Sequence, residues 1–198
     1  VISSFMEANS LRRGLLFTCD PYSKIVDPAD RNTALLFGDG ATVTALSADL
    51  NNNIKLRPTR FSFGTRGKDG FALHNIDRQL FMDGRKIFNF SAVEVPKQVK
   101  ALLDNSSLTK DDIDLFLFHQ GSKAIIDQLR ARMKLPVEKV PSNLADQGNT
   151  VSSSLPLLLE GYVNDRSLKR IVLSGFGVGL SWGSCILERT QYKGVGLE

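Results

Sequence analysis

The 198-residue sequence has little of what marks the specialised protein classes. No run of about eighteen uncharged apolar residues occurs, so no segment reads as a membrane-spanning helix. The opening "VISSFMEANSLRR" carries Glu7 inside its apolar patch and lacks a charged start and a small-residue cleavage site, so it does not read as a signal peptide. There are only two cysteines and two histidines, and no His, Cys and Asp spacing resembles a metal centre. Cys19 and Cys185 stand far apart in apolar runs, where buried, reduced thiols of a cytoplasmic protein are expected. The acidic "KDDID" at 110–114 reads as turn and cap residues. The net charge of +4 is mild and unclustered, which argues against nucleic-acid binding. It suits an acidic partner or a phosphate-bearing ligand.

What is present is ordinary globular composition, 42% apolar and 23% charged, enough for one sizeable core or two small ones. The first residues have helical spacing and run into "GLLFTCD", which reads as a buried strand. A Pro- and Asp-rich loop follows, and "LLFGDGATVTALSA" reads as a hairpin turning at Asp39-Gly40. Residues 49–80 are polar and glycine-punctuated, which predicts loop with short extended pieces. From about residue 83 the pattern is helical, and Pro96 predicts a second or kinked helix there.

The order then becomes regular: strand 113–118, helix 122–134, helix 151–164, strand 170–174 and strand 180–187. Ile125, Ile126, Leu129 and Met133 share one face of the first of these helices. Alternation of strands with helices implies a layered α/β core.

Several residues invite a chemical reading. "FGDGAT" and "GFGVGLSWG" lack the strand-to-helix context of a nucleotide loop, and "GFGVG" reads as a tight turn. His119, in "DLFLFHQGSKAII", is either a strand-end cap or a site residue, because open α/β sheets place their sites at the carboxyl ends of strands. Asn149, in "DQGNTVSSSLP", is either a helix cap or an amide donor. An imidazole and an amide on neighbouring corners can together bind a developing oxyanion.

"DPADRNTALLFGDGA", "FHQGSKAI", "DQGNTVSSSLPLLL" and "SGFGVGLSWGSCIL" occur in that order. Together they resemble the C-terminal two-thirds of a ketoacyl-acyl-carrier-protein synthase III, a thiolase-fold condensing enzyme, over about residues 1–188. The resemblance implies a thiolase-like layered α-β-α fold, with the N-terminal half-repeat partial and the C-terminal one complete. Residues 1–80 would end the first half-repeat and 81–188 form the second. Residues 189–198 would be a tail, whose closing Leu197-Glu198 commonly precedes an affinity tag.

The resemblance also implies roles. The intact enzyme would condense an acyl-thioester from acyl-CoA with a malonyl-thioester on acyl carrier protein, as a cytoplasmic homodimer without a cofactor. His119 and Asn149 match the histidine and asparagine that hold the malonyl thioester oxygen during loss of carbon dioxide. Val178 matches an oxyanion-hole amide, Arg31 an arginine on the CoA nucleotide, and Phe88 and Ser122 positions along the pantetheine. Lys123, Arg130, Arg132 and Lys134 would meet an acidic carrier, or else form a solvated helix face.

Two departures from the family pattern are visible. The family's nucleophilic cysteine would fall about two to three helical turns before Val1, and Cys19 and Cys185 match structural positions. "HQGSKA" stands where housekeeping members usually read His-Gln-Ala-Asn-Leu-Arg, so Ser122 replaces an asparagine and Ala124 an arginine. These changes leave open a related acyltransferase of secondary metabolism or polysaccharide synthesis with another acceptor, and a catalytically silent partner subunit or fragment.

Overall fold

The computed structural model describes residues 2–48 and 56–189. Helix α1 (Ile2–Ala8) leads into strand β1 (Arg13–Asp20), and its Met6 packs over Gly14, where any side chain would collide with the thioether. Short helix α2 (Arg31–Ala34) is capped by Asp30, whose carboxylate accepts from the Asn32 amide at 3.0 Å and the Thr33 hydroxyl at 2.7 Å. Strand β2 (Gly40–Ser47) pairs antiparallel with β1 along its whole length.

This corrects the expected hairpin at Asp39-Gly40. The partner of β2 is β1, and Asp39 accepts from the Ser23 amide at 2.8 Å, tying down the intervening loop. The β1 strand is also not buried: Leu15, Leu16 and Phe17 are 58%, 41% and 67% exposed. Cys19 on the same strand is exposed, against the expectation of a buried thiol. A two-stranded ribbon has no neighbouring strand among the described residues to cover these side chains.

The second sheet is built from β3 (Leu56–Thr65), β6 (Leu115–Phe118), β7 (Arg170–Gly177) and β8 (Ser181–Arg189), in the order β3-β8-β7-β6. The β6–β7 pair is parallel and the other two are antiparallel. Strand β3 replaces much of the loop expected over 49–80, of which residues 49–55 lie outside the described residues. Pro58 is tolerated because β3 is an edge strand with a register shift between Pro58 and Arg60. This sheet thus takes its edge strand from before residue 81. A small hairpin, β4 (Leu73–Ile76) with β5 (Gln79–Met82), follows it. Of the tail expected over 189–198, Arg189 closes β8 and residues 190–198 lie outside the described residues.

Helix α3 (Gly84–Asp104) is one continuous element with Pro96 inside it, where a second helix or a kink was expected. Its cap is Asp83, which accepts from the Lys86 amide at 3.0 Å. Val95 and Val99, on either side of Pro96, are fully buried, so packing holds the helix together where one backbone hydrogen bond is lost.

Helices α4 (Lys123–Met133), α5 (Leu144–Gln147) and α6 (Ser154–Glu160) follow. Phe116 and Phe118 face α3 and α4, in one cluster with Val99 and Leu129. Leu115 and Leu117 point the other way, toward Leu155 and Leu158 of α6. A four-residue strand apolar on both faces is what a sheet covered by helices on both sides requires. Each fully buried phenylalanine contributes about 2–3 kcal/mol. No helix among the described residues is long and apolar enough to cross a membrane.

Candidate active site

The corner after β6 is held from several directions. The His119 amide donates to the Ser174 carbonyl of β7 at 2.8 Å, and the Ser122 hydroxyl caps α4 by accepting from the Ile125 amide at 3.3 Å. Between them, Gln120 is fully buried. Its Nε2 donates to the Phe118 carbonyl at 2.7 Å, while its Oε1 accepts from the Ser142 hydroxyl at 2.8 Å and the Asn143 amide at 3.2 Å. This leaves the His119 ring with little freedom. Its Nδ1 lies 2.7 Å from the Ser154 Oγ, and it packs edge to face with Phe176 at a centroid distance of 5.2 Å. Burial lowers its pKa to about 4, so the imidazole is neutral at neutral pH.

Asn149 is buried and fixed through backbone and side chain. Its amide donates to the Leu36 carbonyl at 2.9 Å, and its carbonyl accepts from Gly38 at 3.0 Å. Its side-chain Oδ1 accepts from the Val151 amide at 3.0 Å, which orients the carboxamide. Among the described residues, Nδ2 donates to none and remains a donor for something else. Val151 itself has φ 53°, a left-handed conformation rare for a β-branched residue. The close fit explains why residue 38 is glycine: a Cβ there would come within 2.3 Å of the Gln147 carbonyl oxygen.

The three serines after Val151 separate in space. Ser152 donates through its amide and hydroxyl to the Asp20 carboxylate, and Ser153 meets the Thr18 hydroxyl at 2.8 Å. Those two fasten the β1–β2 ribbon to the site loop. Ser154, the first residue of α6, turns to His119. Sequence reasoning did not single out Ser154, because consecutive serines at a helix start carry no mark of which one faces inward. Phe37, Tyr22 and Phe176, which also line the site, were likewise not singled out.

His119, Asn149, Val178, Phe88 and Ser122 all line one cavity of about 580 Å³. That size suits a small molecule or an extended arm of one. Its walls are mainly apolar, including Ile87, Leu155 and Phe176. Arg31 lies outside the lining, exposed at the start of α2, although the nearby Leu36 and Phe37 belong to it. Lys123, Arg130, Arg132 and Lys134 also lie outside it, on and just after α4, where Lys123 pairs with Asp127. Neither cysteine lines the cavity. Cys185 sits half-buried on β8, its thiol pushed up to about 11 by burial.

The chain is similar to known proteins along most of its length. The family profile described as 3-oxoacyl-[acyl-carrier-protein] synthase III C terminal matches residues 103–189, and the companion profile, 3-oxoacyl-[acyl-carrier-protein] synthase III, matches residues 1–67. The chain belongs to this family. It is 35% identical to the β-ketoacyl-[acyl-carrier-protein] synthase III of Streptococcus equi subsp. zooepidemicus over 197 residues, covering 91% of this chain and 60% of that protein. It superposes on the 3-oxoacyl-(acyl carrier protein) synthase III of Pseudomonas aeruginosa PAO1 with a TM-score of 0.83 and 34% identity, covering 93% of this chain and 60% of the other. The priming β-ketosynthase of the R1128 polyketide biosynthetic pathway is also similar, with a TM-score of 0.77 and 28% identity over 89% of this chain and 57% of that one. The chain thus spans about 60% of the length of the relatives it matches, and its layered fold is thiolase-like.

Proposed function

We propose that the intact protein condenses an acyl-thioester with a malonyl-thioester carried on acyl carrier protein. The observation that supports this most is the pairing of two neutral donors, His119 and Asn149, in the wall of one largely apolar cavity. When the malonyl carboxylate leaves as carbon dioxide, its bonding electrons pass to the α-carbon and delocalise onto the thioester oxygen. Two neutral donors on that oxygen stabilise the enolate, and an apolar surround strengthens both hydrogen bonds. The enolate carbon then attacks the acyl carbonyl, and the new carbon–carbon bond forms as the acyl carbon–sulfur bond breaks and the thiolate leaves.

On this reading the Val178 amide serves the oxyanion of the acyl intermediate, and Phe88 and Ser122 line the pantetheine path. Arg31 meets the CoA nucleotide outside the cavity, consistent with its exposed place. The cations Lys123, Arg130, Arg132 and Lys134 offer a docking face to an acidic carrier. Both cysteines of this chain lie outside the cavity, so on this reading neither Cys19 nor Cys185 is the acylated thiol. The enzyme works as a cytoplasmic homodimer and needs no cofactor beyond its thioester substrates.

A second reading keeps the acyl transfer and changes the acceptor. It is favoured by Ser122 and Ala124, both cavity residues that depart from the housekeeping pattern, and by the similarity to a polyketide priming synthase. A third, a silent partner subunit, draws on the positions of the two cysteines. Supplying the intact protein with acyl-CoA and either malonyl-carrier or alcohol and amine acceptors separates these readings. Carbon dioxide release with a ketoacyl product supports condensation. Acyl ester or amide without carbon dioxide release supports the second reading, and no product with any acceptor supports the third.

A further inference from the structure

His119 is useful as an oxyanion donor only if the correct ring nitrogen carries the proton. A neutral imidazole holds one proton, on Nδ1 or on Nε2, and the partner of one nitrogen decides the other. Nδ1 faces Ser154 Oγ at 2.7 Å, and no described residue bonds Nε2. We propose that Ser154 is a positioning residue that donates its hydroxyl proton to His119 Nδ1 and thereby keeps the proton of the neutral ring on Nε2. The proposal rests on the reading of His119 as an oxyanion donor and specifies how that donor is maintained.

The assignment follows from counting donors and acceptors. Ser154 is 1% exposed, so its hydroxyl must find its partners within the protein. It has two neighbours among the described residues: the Gln120 amide at 3.5 Å and His119 Nδ1. The amide is a donor only. If Nδ1 also donated, Ser154 Oγ would receive two hydrogens while its own had no acceptor. With the hydroxyl donating to Nδ1, each group is matched to its partner. Burial, which keeps the ring neutral, makes this choice of tautomer matter across the neutral pH range.

The geometry keeps the hydroxyl in place. Ser154 begins α6, whose Leu155 and Leu158 pack beneath the sheet, while Gln120 holds the corner that carries the ring. Phe176 blocks the imidazole from tilting away.

The test is nitrogen and carbon NMR of protein labelled at histidine, in which His74 and His119 are the only histidines of this chain. At neutral pH the wild-type protein is expected to show His119 as the Nε2–H tautomer. Ser154→Ala is expected to shift it to a mixture or to Nδ1–H, and Ser154→Thr, which keeps a hydroxyl, to restore it. A wild-type ring protonated on Nδ1 overturns the proposal without any variant, as does Ser154→Ala with an unchanged tautomer. The spectra are independent of turnover. Nε2–H without malonyl decarboxylation would sink the functional reading and leave this one standing, and decarboxylation by a ring protonated on Nδ1 would do the reverse.

Discussion

The imidazole of His119 and the hydroxyl of Ser154 meet at 2.7 Å across 35 positions of chain, joining the end of β6 to the first residue of α6. Asn149, five residues before Ser154, is held by a separate set of bonds, to Leu36, Gly38 and Val151. The two proposed donors therefore have independent supports, and each can be perturbed alone.

The neutral state of His119 carries a pH dependence. Burial lowers its pKa from 6.5 to about 4, so between those values the unfolded chain binds more protons than the folded one. The stability contribution is complete above the higher value and is lost as pH falls toward the lower, reaching on the order of 3 kcal/mol. Urea unfolding at about pH 7 and about pH 4.5 should show a larger loss for wild type than for His119→Gln. Equal losses would contradict a buried neutral ring.

Gly38 is expected to tolerate no side chain. A Cβ would press on the Gln147 carbonyl oxygen at 2.3 Å, beside the bond from Gly38 to Asn149. Gly38→Ala should cost about 2 kcal/mol or more, whereas Gly67→Ala, with open space around it, should change stability by less than about 0.5 kcal/mol. Thermal unfolding of both variants checks this, and similar melting temperatures would show that residue 38 is not confined.

The two thiols should differ in reactivity and neither should matter for catalysis. Cys19 is exposed, while burial raises Cys185 to about 11 and leaves little thiolate near neutral pH. Mass spectrometry after brief exposure to iodoacetamide should find Cys19 modified well before Cys185. In the intact protein, Cys19→Ser and Cys185→Ser should each retain carbon dioxide release from the malonyl substrate. Loss of that release in a folded variant would bring the cysteine back into the chemistry.

Much of this site was legible in the sequence where periodicity was strong. The apolar "LFLF" before His119 and the 125–126–129–133 stripe of α4 became the strand and the buried helix face they suggest. Strand β3 was hidden because Pro58, Gly64 and several arginines lower its strand character, and only its partner β8 reveals it. Leu15, Leu16 and Phe17 look like a buried strand by composition, yet burial depends on what lies beside them. Pro96 suggested a break, and the packing of Val95 and Val99 outweighed it. Ser154 was invisible among its neighbours, since only the fold shows which hydroxyl reaches the ring.

Release of labelled carbon dioxide from malonyl-carrier is the most direct measurement of the central claim. In the intact protein, His119→Ala and Asn149→Ala, each verified as folded by circular dichroism, should reduce the release rate by roughly 100-fold or more, as expected for loss of an oxyanion donor. Decarboxylation at the wild-type rate in either folded variant would contradict the assignment of that residue, and in both would remove the functional account.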